Sequence, residues 1–392
     1  VSPNTASGTF NLLIRRGNDT SKQKVVLETW ANLSLDPNSD SFITKVIGDA
    51  KQTVANEGTD YSLKYSGEYN NSSRYVRVKS VGTPTLNYLD NNGAAKIALT
   101  GSIPLAGSGS FGNATGTLLP TGRAANFYGD IDNVDTQGLE ATDYTATLNL
   151  LANQDLFQYN IIATPGLIKD FSSHSSLVTK LVDTAQTRGD NLAVVDLVAY
   201  QANIGTVTTE AASIDSSYAA TYWPWLQTID PDLGSQVFVP ASAMMLGVFA
   251  FNDRASETWF APAGLNRGGL STVIRAERNL TNSNRDTLYT NNVNPIATFP
   301  NTGVVVFGQK TLQKKSSALD RVNVRRLMIA LKSFIGQVSD NLVFEQNTII
   351  TRNNFLSQVN PYLESVQQRQ GLYAFKVVMD DTNNTPAVID RN

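Results

Sequence analysis

Among 392 residues there is one histidine, His174 in FSSHSS, and no cysteine. A Ser-His-Asp triad would have to use that histidine, and a metal site of several histidines or thiolates cannot be built. Disulfides and cysteine nucleophiles are excluded on the same grounds. In a serine-rich helix start, a lone histidine reads as a polar loop residue rather than a base. Two other stretches carry residue types suited to ligand chemistry. GSGSFG, Gly107 to Gly112, fits the GxGxxG dinucleotide fingerprint, with Asp130 near the spacing of a ribose-binding acid. That fingerprint needs a helix after it. NATGTLLPTG, with its glycines and proline, does not open one, so a flexible Gly/Ser loop is the better reading. Thr164, Gly166 and Asp196 fall near the ends of apolar runs, where open α/β sheets bind ligands. No phosphate loop follows and no acid or base stands beside them. Asp196, inside an apolar run, reads as a structural cap or pair.

WFAPAGLNRGG, Trp259 to Gly269, is too broken by Gly and Pro for a helix and too apolar for an ordinary surface loop. Trp259, Phe260 and Pro262 are expected to pack the end of a preceding buried helix. Gly264, Gly268 and Gly269 permit turns that other residues make at a cost. Arg267 is expected to hold several carbonyls and lock the corner; an anion site there is the alternative.

The elements that position these residues change character along the chain. TFNLLIRRG and KQKVVLETWANLS predict a hairpin, YSLKY and RYVRVKSV predict strands, and KIALTGSI a weak strand. From about Tyr144 helices and strands alternate. DYTATLNLLANQDL predicts a helix capped by Thr142 or Asp143, and QYNIIATPG a strand. SSLVTKLVDTAQTRG is an amphipathic helix stopped by Gly189, and NLAVVDLV is an all-apolar strand, so the unit is βαβ with a parallel pair. After Pro240 a run that is small and apolar all round predicts a buried helix. STVIRAERNLT predicts a short helix, and Val304 to Gly308 a strand. From Asn323, Val324, Leu327, Met328, Leu331, Phe334, Ile335 and Val338 form one helical stripe. Arg325 and Lys332 share a flank of that helix, with Arg326 opposite the stripe: a solvated basic face, or a charged contact to a partner. A further helix starts at Pro361 with Asn360 as cap, and LYAFKVVMDD predicts a closing strand.

The fold class expected is mixed α/β (α+β). A β-rich N-terminal domain, residues 1–142 with a Gly-rich surface excursion at 91–142, precedes an α/β core domain, residues 143–392, whose mixed, partly parallel sheet is flanked by helices. A chain of this length implies about two to three domains. Net charge is −3 and charged residues are 17% of the total, which gives no bulk attraction to nucleic acid or anionic membrane. The chain begins on Val1 in a polar VSPNTASG without signal-peptide character, and reads as a piece of something longer.

Five blocks in order resemble one family: DSSYAATYWPWLQTIDP, VPASAMMLGVFAFNDRASETWFAPAGLNRGG, NNVNPIATFPNTGVVVFGQKTL, DRVNVRRLMIALKSFI and NTIITRNNFLSQV. They are similar to the tail sheath proteins of contractile-tailed bacteriophages over about Ser213 to Asp381. FNLLIRR with VVLETWANLSLDPNS resembles that family's hairpin before its main domain. The resemblance implies a non-enzymatic structural subunit that needs no cofactor. It would form stacked hexameric rings around a tail tube and contract to drive the tube through the host envelope. The partners implied are other sheath subunits, the tail tube protein, and baseplate and tail terminator proteins, with no nucleic acid and no membrane. The location implied is the virion tail sheath, reached from the host cytoplasm. Arg325, Arg326, Lys332, Glu364 and Arg369 become candidates for a tube or subunit interface. Trp259, Pro262, Gly264, Arg267 and Gly268 become a structural motif. The family's terminal arms are missing from this pattern, which implies a protease-resistant, monomeric core fragment with an unpaired strand at Tyr373 to Met379. A tailocin or non-phage injection-system sheath, and more distantly an α/β ligand-binding enzyme, are the alternatives.

Overall fold

The computed structural model describes residues 3–16, 24–58, 60–105, 140–231 and 234–391. GSGSFG and Asp130 lie outside the described residues. The chain divides into two compact units, residues 1–118 and 119–392.

In the first unit β1 (Thr9–Arg15) and β2 (Val26–Ser34) form the antiparallel pair expected from their β-branched and aromatic content. A short helix α1 (Ile43–Ile47) leads into a second hairpin, β3 (Lys51–Glu57) and β4 (Asp60–Ser66), in register from Lys51↔Ser66 to Glu57↔Asp60. Phe10, Leu33, Ile47, Tyr88 and Ile103 form the core. Gly8 sits at φ 71°, and a Cβ there would lie 2.5 Å from the Tyr88 ring, so the turn tolerates only glycine. Two expected strands are absent. RYVRVKSV is held by single bonds instead of a ladder: Glu28 accepts from Ser73 Oγ at 2.6 Å and Arg74 N at 3.0 Å, and Val78 N donates to Gly48 O at 2.8 Å. KIALTGSI forms a one-turn helix, α2 (Ile97–Thr100). It follows a tight turn in which Asp90 Oδ1 accepts from Asn92 N at 2.8 Å and Ala94 N at 2.9 Å, and among the described residues no strand pairs with it.

The second unit runs, in chain order, through α3 (Ala141–Leu151), β5 (Ile161–Ile168), α4 (Ser172–Arg188), β6 (Leu192–Asp196), α5 (Ile204–Ala212), β7 (Ala219–Trp223), β8 (Leu226–Ile229), β9 (Gln236–Val239), α6 (Ala241–Ala255), β10 (Arg275–Ala276), α7 (Asn282–Thr290), β11 (Asn294–Phe299), β12 (Gly303–Val306), α8 (Val322–Asp340), α9 (Ile349–Gln368) and α10 (Pro386–Ile389). A five-stranded sheet has the order β12-β11-β7-β6-β5, parallel except for β12. Helices cover both of its faces, which is why its inner strands are apolar without a polar side. Alternate residues of β6 and β7 face opposite cores. Ala193, Val195, Ala219 and Trp223 join α4, α5 and α7 on one face. Leu192, Val194, Ala220 and Tyr222 join Met245, Val248 and Phe249 of α6 and Val322 and Ile329 of α8 on the other. A third core lies between α8 and α9, where Leu327, Leu331 and Val338 meet Phe355, Val359, Leu363 and Val366. Each such fully buried side chain contributes about 1.5–3 kcal/mol.

The βαβ unit β5–α4–β6 forms as expected, with Gly189 ending α4 at φ 71°. Other expectations are corrected. Glu140, not Thr142 or Asp143, is the N-cap of α3, and no side chain caps it. α6 is buried on one side only: Leu246 and Phe251 are exposed. STVIRAERNLT forms no helix, because Arg275 and Ala276 pair with β8 and Arg275 Nε donates to Gln227 Oε1 at 2.7 Å. The last long helix starts at Ile349, with Thr348 Oγ1 accepting from Thr351 N, and runs through Pro361. The Phe355–Val366 stripe packed on α8 outweighs the hydrogen bond the proline removes. LYAFKVVMDD forms no strand, since Leu372, Phe375, Val377 and Met379 pack against the helical hairpin instead of a sheet.

Candidate functional site

The Trp259–Gly269 corner follows α6 and is fastened at both ends. Asn252, fully buried in α6, donates through Nδ2 to Glu257 O at 3.1 Å and Phe260 O at 3.3 Å. Trp259 ties the corner to the α8–α9 pair. Its indole is buried in the α8–α9 core, where Nε1 donates to Arg369 O at 3.0 Å, and Asn323 Nδ2 donates to Trp259 O at 3.3 Å. Pro262 is buried. Gly264, at φ 84°, donates to Val306 O at 2.9 Å, Val306 N donates to Gly268 O at 2.8 Å, and Leu270 N donates to Val304 O at 3.0 Å. The corner therefore runs along β12 and covers what would be an open sheet edge. A Cβ on Gly268 would lie 2.7 Å from Val306 O, so close backbone approach explains that glycine. Gly269 has open space around its Cβ position and no positive φ, and the expected turn requirement is absent there. Arg267 holds one carbonyl through Nε, Ala261 O at 3.1 Å, and lies 5.1 Å over the Phe260 ring.

The basic residues of α8 separate into two environments. Arg326 is not solvated: its guanidinium forms a bidentate pair with Asp253 of α6 at 2.8 and 2.5 Å, 4.9 Å over the Phe249 ring, with 3% of its side chain exposed. Arg325 is also buried. It stacks 3.9 Å over Tyr218 and donates to Ser217 Oγ at 2.5 Å, and burial pulls its pKa down. The expected basic outer face is thus replaced by two internal anchors, because Asp253 and the Tyr218 ring offer each guanidinium a partner that water does not need to supply. Lys332 is exposed, with Nζ 3.4 Å from Tyr218 Oη. Glu364 is exposed on α9. Arg369 caps the corner, 2.6 Å from Glu257 and 5.4 Å over Trp259. Asp253, Tyr218 and Glu257 were not singled out from sequence.

The residues considered for ligand chemistry are used internally. His174 is fully buried, not in a polar loop, and its Nδ1 accepts from Ile168 N at 3.1 Å. Asp196 caps α6, accepting from Ser242 N at 3.2 Å and Ser242 Oγ at 2.5 Å, and burial pushes its pKa up to about 7. The cavity beside it measures about 10 Å³, whereas ligand pockets run to about 300–1,000 Å³. Gly166, at φ 101°, lies in the bulge within β5, between Ala163 and Ile168.

Residues 137–312 match the family model of the phage tail sheath protein central domain. The second unit is thus similar to a tail sheath central domain over that stretch. The tail sheath protein of Vibrio phage KVP40 is 39% identical over 186 residues, 47% of this chain and 27% of that protein. The tail sheath protein of Enterobacteria phage T4 is 38% identical over 200 residues, 51% of this chain and 30% of that protein. The matched stretch spans under a third of the length of these curated relatives. A chain of the anti-feeding prophage baseplate aligns with a TM-score of 0.53 at 23% identity, over 64% of this chain and 68% of that one, which shows a shared fold. The Trp259–Gly269 corner lies inside the stretch matched to the sheath domain, and α8 and α9 lie beyond it.

Proposed function

We propose that this chain is the structural subunit of a contractile tail sheath. Subunits stack as hexameric rings around a tail tube, and on triggering they rearrange as rigid bodies and drive the tube through the host envelope. The match of residues 137–312 to the sheath central domain carries this reading. The geometry supports it: a sheet covered on both faces, with the buried Arg326–Asp253 pair tying α8 to α6, makes a stiff body suited to exchanging interfaces without refolding. The role is structural, not catalytic; His174 and Asp196 are each engaged in holding backbone. The partners are other sheath subunits, the tube, the baseplate and the tail terminator, and the location is the virion tail after assembly in the host cytoplasm. Identity of 38–39% to phage sheaths favours a phage tail over a non-phage injection system, whose likeness here is one of fold.

The test is immunogold electron microscopy of contractile-tailed particles with antibodies raised against this chain. Gold along the whole tail length, in a zone that shortens on contraction, is the expected result. Gold confined to heads or baseplates, or no gold at all, overturns the proposal.

A further inference from the structure

The turn between α8 and α9 shows large apolar side chains to solvent. Val343 is 57% exposed, Phe344 103%, Ile349 67% and Ile350 73%. The turn is well bonded within itself, Leu342 N donating to Ser339 O at 2.8 Å and Glu345 N to Leu342 O at 3.0 Å. Phe344 is held at φ 72°, a conformation that a bulky residue adopts only at a cost. That cost is spent on pointing an aromatic ring into water, which folding alone does not reward. Acidic groups flank the apolar tip. Asp340 and Glu345 are exposed on either side of it, and Asn347 Nδ2 bonds Asn384 Oδ1 at 3.1 Å, next to exposed Asp380 and Asp381.

The same unit carries a groove of complementary character. It has a volume of about 650 Å³ and is lined by Ala263, Pro295, Phe307, Tyr289, Arg285 and Gln309 among others. Phe307 is 46% exposed there. Cations ring the aromatic floor: Arg285 lies 5.7 Å over Phe307, Lys310 4.6 Å over Tyr289, and Arg321 donates to Tyr289 Oη at 3.2 Å. Asp286 on the wall and Asp320, 3.5 Å from Arg321, offset part of that charge. Burial, and to a lesser degree the neighbouring Arg321 charge, pull Lys310 below its usual pKa.

We propose that the apolar, acid-flanked α8–α9 tip of one copy inserts Phe344 into the Phe307–Tyr289 groove of a second copy. Tip and groove are different surfaces, so the contact is heterologous and propagates from copy to copy, as a stacked helical array requires. This inference rests on the sheath reading and names one of its subunit contacts.

The lack of cysteine makes the test clean. Copies carrying Val343→Cys and differently tagged copies carrying Ala263→Cys are mixed at high concentration and oxidised with diamide, which takes two electrons and two protons from each thiol pair. The mixed disulfide is expected to exceed, by about tenfold, that from Val343→Cys with Ser176→Cys, a position on an unrelated surface. Adding Phe344→Gly to the tip copy should lower the yield about tenfold while leaving the thermal midpoint equal or higher, since glycine accepts the positive φ. Arg285→Glu in the groove copy should lower it too, with recovery when the tip copy carries Glu345→Lys. Control-level yield, or a yield indifferent to Phe344→Gly, overturns the contact. Tail labelling without the cross-link leaves the sheath role standing and this contact wrong; the cross-link without tail labelling does the reverse.

Discussion

In the sheet layer, Asp196, Arg326 and Asn294 are all buried and all partnered: Asp196 by Ser242, Arg326 by Asp253, and Asn294 by Thr221 O at 3.0 Å and Lys310 O at 2.7 Å. At the far end of the helical hairpin, Val343, Phe344, Ile349 and Ile350 are exposed. One region buries these three polar side chains and partners them; the other displays apolar groups and leaves them open. These buried polar pairs fix how α6, α8 and the strands sit on one another, because any shift strands a charge or an amide. An exposed apolar tip fixes nothing inside its own chain and becomes stable only against something else. The layer therefore behaves as body and the tip as contact.

Three measurements can break or sharpen that contrast. The largest effect belongs to the Arg326–Asp253 pair. Asp253→Ala leaves Arg326 buried without its counter-ion and should cost about 3 kcal/mol in urea unfolding. Asp253→Leu combined with Arg326→Met should recover most of it. A loss within experimental error for Asp253→Ala would show that the layer does not depend on the pair. Next comes the corner over β12. Gly268→Ala forces a methyl against Val306 O and should cost about 2 kcal/mol, whereas Gly269→Ala, facing open space, should stay within about 0.5 kcal/mol. Equal effects at the two positions would remove close backbone approach as the explanation.

The third measurement is the pH dependence of Asp196, whose effect is spread over several pH units. Its folded pKa, about 7, lies above the ordinary carboxylate value of 3.8, so the folded state holds a proton that the unfolded chain has released. The resulting stabilisation is full below about pH 4 and is lost as pH rises through about 7, at a slope of at most about 1.4 kcal/mol per pH unit. Asp196→Asn should flatten that part of the stability profile. An unchanged profile would assign the dependence to another group.

How far the sequence discloses this molecule varies with the range of the interaction. SSLVTKLVDTAQTRG and NLAVVDLV show α4, β6 and their parallel pairing, because a helical stripe ending in glycine and an all-apolar strand are local patterns. Arg325 and Arg326 look like a solvated face because their partners are far away in the chain: Ser217 is 108 residues from Arg325, and Asp253 is 73 from Arg326. The alternation at Phe375, Val377 and Met379 suggests a strand, since period two marks an extended apolar side without saying what covers it; here that cover is a helical hairpin. Of the corner, Gly264 and Gly268 are legible as special backbone positions. That the corner lines β12, and that Trp259 reaches into the α8–α9 core, depends on contacts no local pattern encodes.

Helix α8 belongs to two cores at once. Val322 and Ile329 are set in the sheet layer, while Leu331 and Val338 are set against α9. With 19 residues it is about 28 Å long. A force applied at the exposed tip therefore travels along a single uninterrupted rod to the Arg326–Asp253 pair. In mechanical terms α8 is a lever whose fulcrum is an ion pair and whose load is the whole sheet.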